Sequence, residues 1–131
     1  MIVLDSSAIV ETLLDSPKTV DVEAAVDGEQ THSPTLLGFE VLSAIRGKVR
    51  GKLLAADGAL VAMRRFERIE ATLELWPLLE HMTLRAIQLR ENVSSYDATY
   101  VALAELLKCP LVTADARLAR AVEGLIDVIV V

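Results

Sequence analysis

An α/β fold, with a small parallel sheet between helices, is the architecture this chain predicts, and three observations carry it. Short apolar runs alternate with amphipathic helical stretches, the signature of β-α-β units. The first run, Met1–Leu4, is β-branched and continuously apolar, as a central strand buried on both faces is. The length of 131 residues suits one domain, residues 1–131, long enough to bury a core. There is no linker, repeat or low-complexity segment to divide it.

The elements follow in order. After Met1–Leu4, a helix spans Ser6–Leu14 and is ended by Asp15-Ser16-Pro17. Val20–Val26 is a second short helix, stopped by Asp27-Gly28, and Thr31–Ser33 is a weak strand candidate. Pro34 suits the first turn of the next helix, which runs to about Gly51. Ala55–Phe66 is a further helix, with Arg64, Arg65 and Arg68 near its end. Ile69–Leu75 reads equally as strand or irregular chain. Leu78–Glu91 is amphipathic and Ser95–Leu107 more apolar, both helical. Leu111–Thr113 and Val128–Val131 are strands flanking a short helix, Ala116–Val122.

Composition excludes several function classes. Hydrophobic residues make up 53% and charged residues 24%, which rules out a disordered chain. A net charge of −6 argues against a generic nucleic-acid-coating protein, whose footprint is basic. Aromatics are 4%, which argues against base stacking on an aromatic platform. The lone Cys109 forms no internal disulfide and reads as a small buried hydrophobe beside Pro110. The N-terminus has no basic region, its apolar run stops at Asp5, and no run reaches membrane-span length. A cytoplasmic protein is the expectation.

Four acids sit where the chain changes element. Asp5 closes the first strand, Asp115 follows the strand Leu111–Thr113, Asp97 lies just inside a helix start, and Glu40 lies in the helix near Pro34. In an open α/β sheet, functional groups gather at the carboxyl ends of the strands. Each acid also has a structural explanation: Asp5 and Asp115 as helix N-caps, Asp97 as an anion in a first turn. Crowded carboxylates repel, and a bound cation is the simplest remedy. The four account for much of the acidity, since −6 + 4 leaves −2 for the rest. All-carboxylate ligation selects Mg²⁺ or Mn²⁺ over zinc, and His32 and His81 lack metal-ligand spacing. The hydroxyls of Ser6 and Thr113 stand beside the acids and are placed to orient a carboxylate or a metal-bound water. Asp5 is followed by Ser6-Ser7 with no second acid, which disfavours an aspartyl-nucleophile phosphatase.

Projection of the Glu40 helix at about 100° per residue puts Val41, Leu42, Ile45, Val49 and Leu53 on a core face. Glu40 shares a stripe with Ser43, Ala44, Gly47 and Gly51, flanked by Lys48 on one side and by Arg46 and Arg50 on the other. An acid in a small-residue trough with basic rims is what a metal-dependent phosphodiester site needs. An ordinary solvated helix face is the equal alternative.

Four ordered motifs carry a resemblance: Met1-Ile2-Val3-Leu4-Asp5-Ser6-Ser7-Ala8, Phe39-Glu40-Val41, Tyr96-Asp97-Ala98-Thr99-Tyr100-Val101-Ala102-Leu103-Ala104, and Leu111-Val112-Thr113-Ala114-Asp115-Ala116-Arg117-Leu118-Ala119. Together they resemble the motifs of PIN-domain ribonucleases, and within that group the VapC toxins of VapBC toxin–antitoxin systems. The resemblance implies a PIN-like fold and a metal-dependent endoribonuclease. It implies Asp5, Glu40, Asp97 and Asp115 as the catalytic acids, with Asp5, Asp97 and Asp115 holding Mg²⁺ or Mn²⁺. A VapB-type antitoxin, a homodimer and an RNA substrate are implied with it. Some family members carry a further Asp or Asn after the last acid, where Ala116 and Arg117 stand here. That departure bears on whether a second metal is fully ligated. Two other classes remain: a non-catalytic partner-binding module, and a receiver-like phosphoacceptor domain, which needs a basic residue near Asp115 that Thr113-Ala114-Asp115 does not offer.

Overall fold

The structure, a computed structural model, describes residues 1–131. Its strands are β1 (Ile2–Leu4), β2 (Thr31–Pro34), β3 (Glu74–Trp76), β4 (Leu111–Thr113) and β5 (Val128–Val130). Its helices are α1 (Ser6–Leu13), α2 (Thr19–Val26), α3 (Leu37–Arg50), α4 (Ala56–Glu70), α5 (Glu80–Gln88), α6 (Ser95–Leu107) and α7 (Ala116–Ala121). The five strands pair in the order β3-β2-β1-β4-β5, every pair parallel. The predicted α/β class, a parallel sheet flanked by helices, is what the chain adopts.

β1 lies in the middle because nothing in it tolerates water. Ile2, Val3 and Leu4 are all buried, as are Leu111 and Val112 of the neighbouring β4. Leu4 registers with Val112, so the ends of β1 and β4 fall side by side and their following residues leave the sheet at one edge. α6 presents an unbroken buried run from Ala98 to Ala104 to this core. α3 contributes Leu37, Val41 and Ile45, each essentially without exposure.

Several expectations shift at the boundaries. Pro34 ends β2 and pairs with Trp76, and α3 begins only at Leu37. Its missing N–H costs the strand little, because the β2–β3 ladder is continued by the Thr35 N–H donating to the Trp76 carbonyl. The unsettled stretch Ile69–Leu75 divides: α4 runs on to Glu70 and β3 begins at Glu74. Of the face predicted as core, Leu42 on α3 is 50% exposed, and Leu53, beyond the end of that helix, is 76% exposed. Leu42 instead lines a groove between α3 and α4, facing Ala59, Leu60 and Met63.

His32 is a buried strand residue whose Nδ1 accepts a hydrogen bond from the Trp76 indole. His81 lies against Glu105, which also forms a paired contact with Arg85 across α5 and α6. Cys109 is half-buried, and burial raises its thiol pKa. No helix is long and apolar enough to cross a membrane.

Candidate active site

The site is built on the carboxyl edge of β1 and β4. Asp5 is the first residue beyond β1 and the N-cap of α1: its Oδ1 accepts the Ala8 N–H at 3.1 Å and the Ser7 hydroxyl at 2.6 Å. Its Oδ2 accepts the Thr113 hydroxyl at 2.5 Å, from the end of β4. Asp5 is only 5% exposed, and burial raises its carboxyl above the usual carboxylate range even though these donors pull the other way. Each hydroxyl, while donating to Asp5, also accepts a backbone N–H. Ala114 donates to Ser7 Oγ at 2.8 Å, and Asp115 donates to Thr113 Oγ1 at 3.0 Å. Two parallel donor chains therefore start on the β4–α7 backbone and end on one carboxylate. A carboxylate offers about four lone-pair directions. Three are filled here, which leaves one open on Oδ2.

Asp115 is the N-cap of α7, its Oδ1 accepting from the N–H groups of Arg117 and Leu118 at 2.8 and 3.1 Å. Its Oδ2 makes no hydrogen bond and lies 3.8 Å from the Arg117 guanidinium. The cap role anticipated for both aspartates is thus present, and in each case it leaves part of the carboxylate uncommitted. Asp97 stands in the first turn of α6, where Ser94 caps the helix by accepting the Asp97 N–H at 3.0 Å. The Asp97 carboxylate itself makes no hydrogen bond or ion pair.

Glu40 reaches the same edge from α3. Its Oε2 accepts the Tyr100 hydroxyl at 2.6 Å. Its carboxyl is raised, first by burial and then by the charges of Asp97 and Asp5, while the Tyr100 and Ser6 hydroxyls oppose the shift. Tyr100 is shifted upward in turn, by burial and by the carboxylate it serves. These mutual influences place Asp5, Glu40 and Asp97 in one electrostatic neighbourhood, with Asp115 joined to Asp5 through Thr113. The acids do not close into a three-ligand cage as they stand. With a lone pair of Asp5 Oδ2, Asp115 Oδ2 and the whole Asp97 carboxylate unbonded, the donors present are all oxygens, which suits Mg²⁺ or Mn²⁺.

Of the hydroxyls, Ser6 lies in the same depression as Glu40, whereas Ser7, not singled out from sequence, is the one that donates to Asp5. Tyr100 is a further functional residue that the acids alone do not point to. Its signal is position, one helical turn after Asp97 on the same face of α6. Lys18 joins them from outside the four motifs: its ammonium donates to the Ala114 carbonyl at 3.4 Å, one residue before Asp115. The basic flanks of Glu40 are placed differently from expectation. Ser43 and Ala44 do share a depression with Glu40, together with Ser6, Leu36, Phe39 and Tyr96. Arg46 and Arg50 border the α3–α4 groove instead, and Lys48 is half-buried beside the core face.

A family model for the PIN domain matches residues 2–124. The chain belongs to the PIN-domain family. Within it, this PIN domain falls among the VapC proteins: it is 42% identical over 120 residues to Ribonuclease VapC12 of Mycobacterium tuberculosis, covering 92% of this chain and 91% of that protein. The fold agrees. The crystal structure of FitAcB from Neisseria gonorrhoeae superposes with a TM-score of 0.71 at 20% identity, over 98% of this chain and 96% of that one. A toxin–antitoxin complex from Klebsiella pneumoniae gives 0.68 at 16% identity, over 98% and 96%.

Proposed function

We propose that this PIN domain is a metal-dependent endoribonuclease and the toxin of a type II toxin–antitoxin pair, acting in the cytoplasm. The observation that carries the chemistry is the gathering of Asp5, Glu40, Asp97 and Asp115 at one sheet edge, each with at least one carboxylate lone pair left open. The likeness to curated VapC ribonucleases supports RNA as the substrate, a VapB-type antitoxin as the partner and a homodimer as the working form. Nothing in the acids themselves selects RNA over DNA.

Asp5, Asp97 and Asp115 would hold Mg²⁺ or Mn²⁺. When bound, the cation supplies Lewis-acid activation of water and neutralises charge on the phosphodiester. The rest is the work of the chain. Ser7 and Thr113 lock the Asp5 carboxylate so that its open lone pair keeps one direction. The α7 cap fixes the Asp115 carboxylate plane and turns Oδ2 outward. Tyr100 holds Glu40 by Oε2, and its raised affinity for a proton suits Oε1 to receive one from the attacking water. The Lys18 ammonium, on the Ala114 carbonyl, and the Arg117 guanidinium, 3.8 Å from Asp115, are cations at this edge that would meet an RNA phosphate. Arg46, Lys48 and Arg50, on other faces of α3, are left with a secondary part in RNA binding.

The test is cleavage of single-stranded RNA by purified protein with and without Mn²⁺, beside Asp97→Asn. Metal-dependent endonucleolytic products, absent for the variant, are expected. Unchanged cleavage in EDTA would remove the metal mechanism.

A further inference from the structure

The composition hides where its few aromatics are. The chain has two Phe, two Tyr and one Trp. Three have structural work: Phe66 is buried in the core, Tyr100 holds Glu40, and Trp76 bonds His32. The remaining two, Phe39 and Tyr96, are 79% and 61% exposed. Both line the one depression that contains Glu40. Each also immediately precedes a site acid in the chain, Phe39 before Glu40 and Tyr96 before Asp97.

We propose that Phe39 and Tyr96 form a nucleobase-stacking site beside the carboxylate edge, so that the substrate is RNA with at least one unpaired, unstacked base next to the cleaved phosphate. This rests on the ribonuclease function proposed above and names the form of RNA it takes. The two rings do not pack on one another, the His32–Trp76 contact being the chain's aromatic pair, and both are largely open to solvent. The depression is about 600 Å³ and has the Ser6 and Ser43 hydroxyls in its wall, which suit the polar edges of a base. Across Leu36 and Tyr96 it continues into an apolar groove of about 390 Å³ bordered by Leu78, Met82 and Ile87, room for a neighbouring base.

Charge favours an uncharged contact of this kind. With a net charge of −6, and carboxylates at the very edge where phosphate must arrive, Coulomb forces oppose RNA. Counterion release, the usual source of affinity for nucleic acid, is weak in such a protein. Stacking on an aromatic ring needs no charge and tolerates any base. Double-stranded RNA keeps its bases stacked in the helix and offers neither ring a face.

The experiment measures binding rather than cleavage. A short fluorescein-labelled single-stranded RNA is compared with the same backbone carrying abasic residues, and with a blunt hairpin, by anisotropy in Mn²⁺ on the Asp97→Asn protein. The same protein is then given Phe39→Leu, Tyr96→Leu or both, beside the ring-preserving Phe39→Tyr and Tyr96→Phe. The expected result is preference for the base-bearing strand, falling by about 5- to 100-fold for each ring lost, as base–aromatic stacking contacts do. The ring-preserving variants keep the preference, and the salt slope does not change. Equal binding of base-bearing and abasic strands would overturn the proposal. So would a preference unaffected by both leucines, or leucine variants that only shift the monomer–dimer balance, which would mark the rings as contacts of a second copy. Failure of the ribonuclease function shows separately, as wild-type protein that never cuts RNA whatever its base preference.

Discussion

Thr113→Val isolates the hydroxyl that joins Asp5 to Asp115. Thr113 is fully buried, and valine fills nearly the same volume, so the change removes hydrogen bonds without opening a cavity. Three contacts go: the 2.5 Å donation to Asp5 Oδ2, the 3.0 Å acceptance from the Asp115 N–H and the 3.1 Å contact with the Ser7 hydroxyl. A hydrogen bond to a charged group is worth about 1.5–3 kcal/mol, and a buried orphan N–H costs about 1–3 kcal/mol. With partial relaxation the loss should be roughly 3–4 kcal/mol, a large share of the ~5–15 kcal/mol that holds a typical domain. Thr113→Ser keeps the hydroxyl and drops one methyl group, for about 1 kcal/mol. The assay is urea unfolding of both variants, with the denaturant slope checked for constancy. Acidity adds a second signature. Burial raises the Asp5 carboxyl in the folded state, so its favourable contribution to folding is complete below the unfolded pKa and is lost as pH rises through the folded one. Removing a donor raises it further. The valine deficit should therefore be smallest near pH ~4 and grow toward neutrality. A valine variant no less stable than the serine one, or a deficit that does not grow with pH, would refute the donor-chain description.

Asp115→Asn keeps a good N-cap, so stability should change by less than about 0.5 kcal/mol while RNA cleavage falls by orders of magnitude; near-wild-type turnover would leave Asp115 as a cap alone. Tyr100→Phe removes the 2.6 Å bond to Glu40, and a double-mutant cycle with Glu40→Gln should show about 1–2 kcal/mol of coupling in urea unfolding, against none if the contact is unimportant. Mn²⁺ added to the metal-free protein should raise the unfolding temperature in wild type and not in Asp5→Asn, because a cation that relieves carboxylate repulsion binds the folded state. Expression of the wild-type chain alone should arrest growth, and co-purification from its native host should recover a small partner. Harmless expression with no partner would remove the toxin role and leave the nuclease.

Much of the fold was visible in the sequence because a parallel sheet writes itself as short apolar runs. Met1–Leu4 and Leu111–Thr113 could hardly be anything else, and the residues after them had to share an edge. β2 and β3 were harder. Thr31-His32-Ser33-Pro34 is nearly all polar, yet Ser33 is buried because its hydroxyl donates to the Leu4 carbonyl, a partner that local sequence cannot show. Glu74–Trp76 is an edge strand with little burial, so its pattern was weak. On α3, an apolar stripe wider than the core put Leu42 inside by periodicity, whereas α4 leaves it on an open groove. At the site, the acids announced themselves by position, but the groups that hold them did not. Of two adjacent serines the sequence reading chooses Ser6, although Ser7 is the one that donates to Asp5. Only the crossing of β4 decides that Ser7 meets Asp5 and Thr113. The small-residue trough was partly right, since Ser43 and Ala44 border Glu40. Arg46 and Arg50 do not share that depression, because helical rotation carries them to the α3–α4 side.

The most direct measurement is end-mapping of a single-stranded RNA incubated with the purified chain in Mg²⁺ or Mn²⁺, with EDTA and Asp97→Asn run alongside. Defined internal cuts that need the cation and vanish in the variant are the predicted result. Cuts that persist in EDTA or in Asp97→Asn, from protein shown to be folded, would contradict a carboxylate-bound metal as the source of the chemistry.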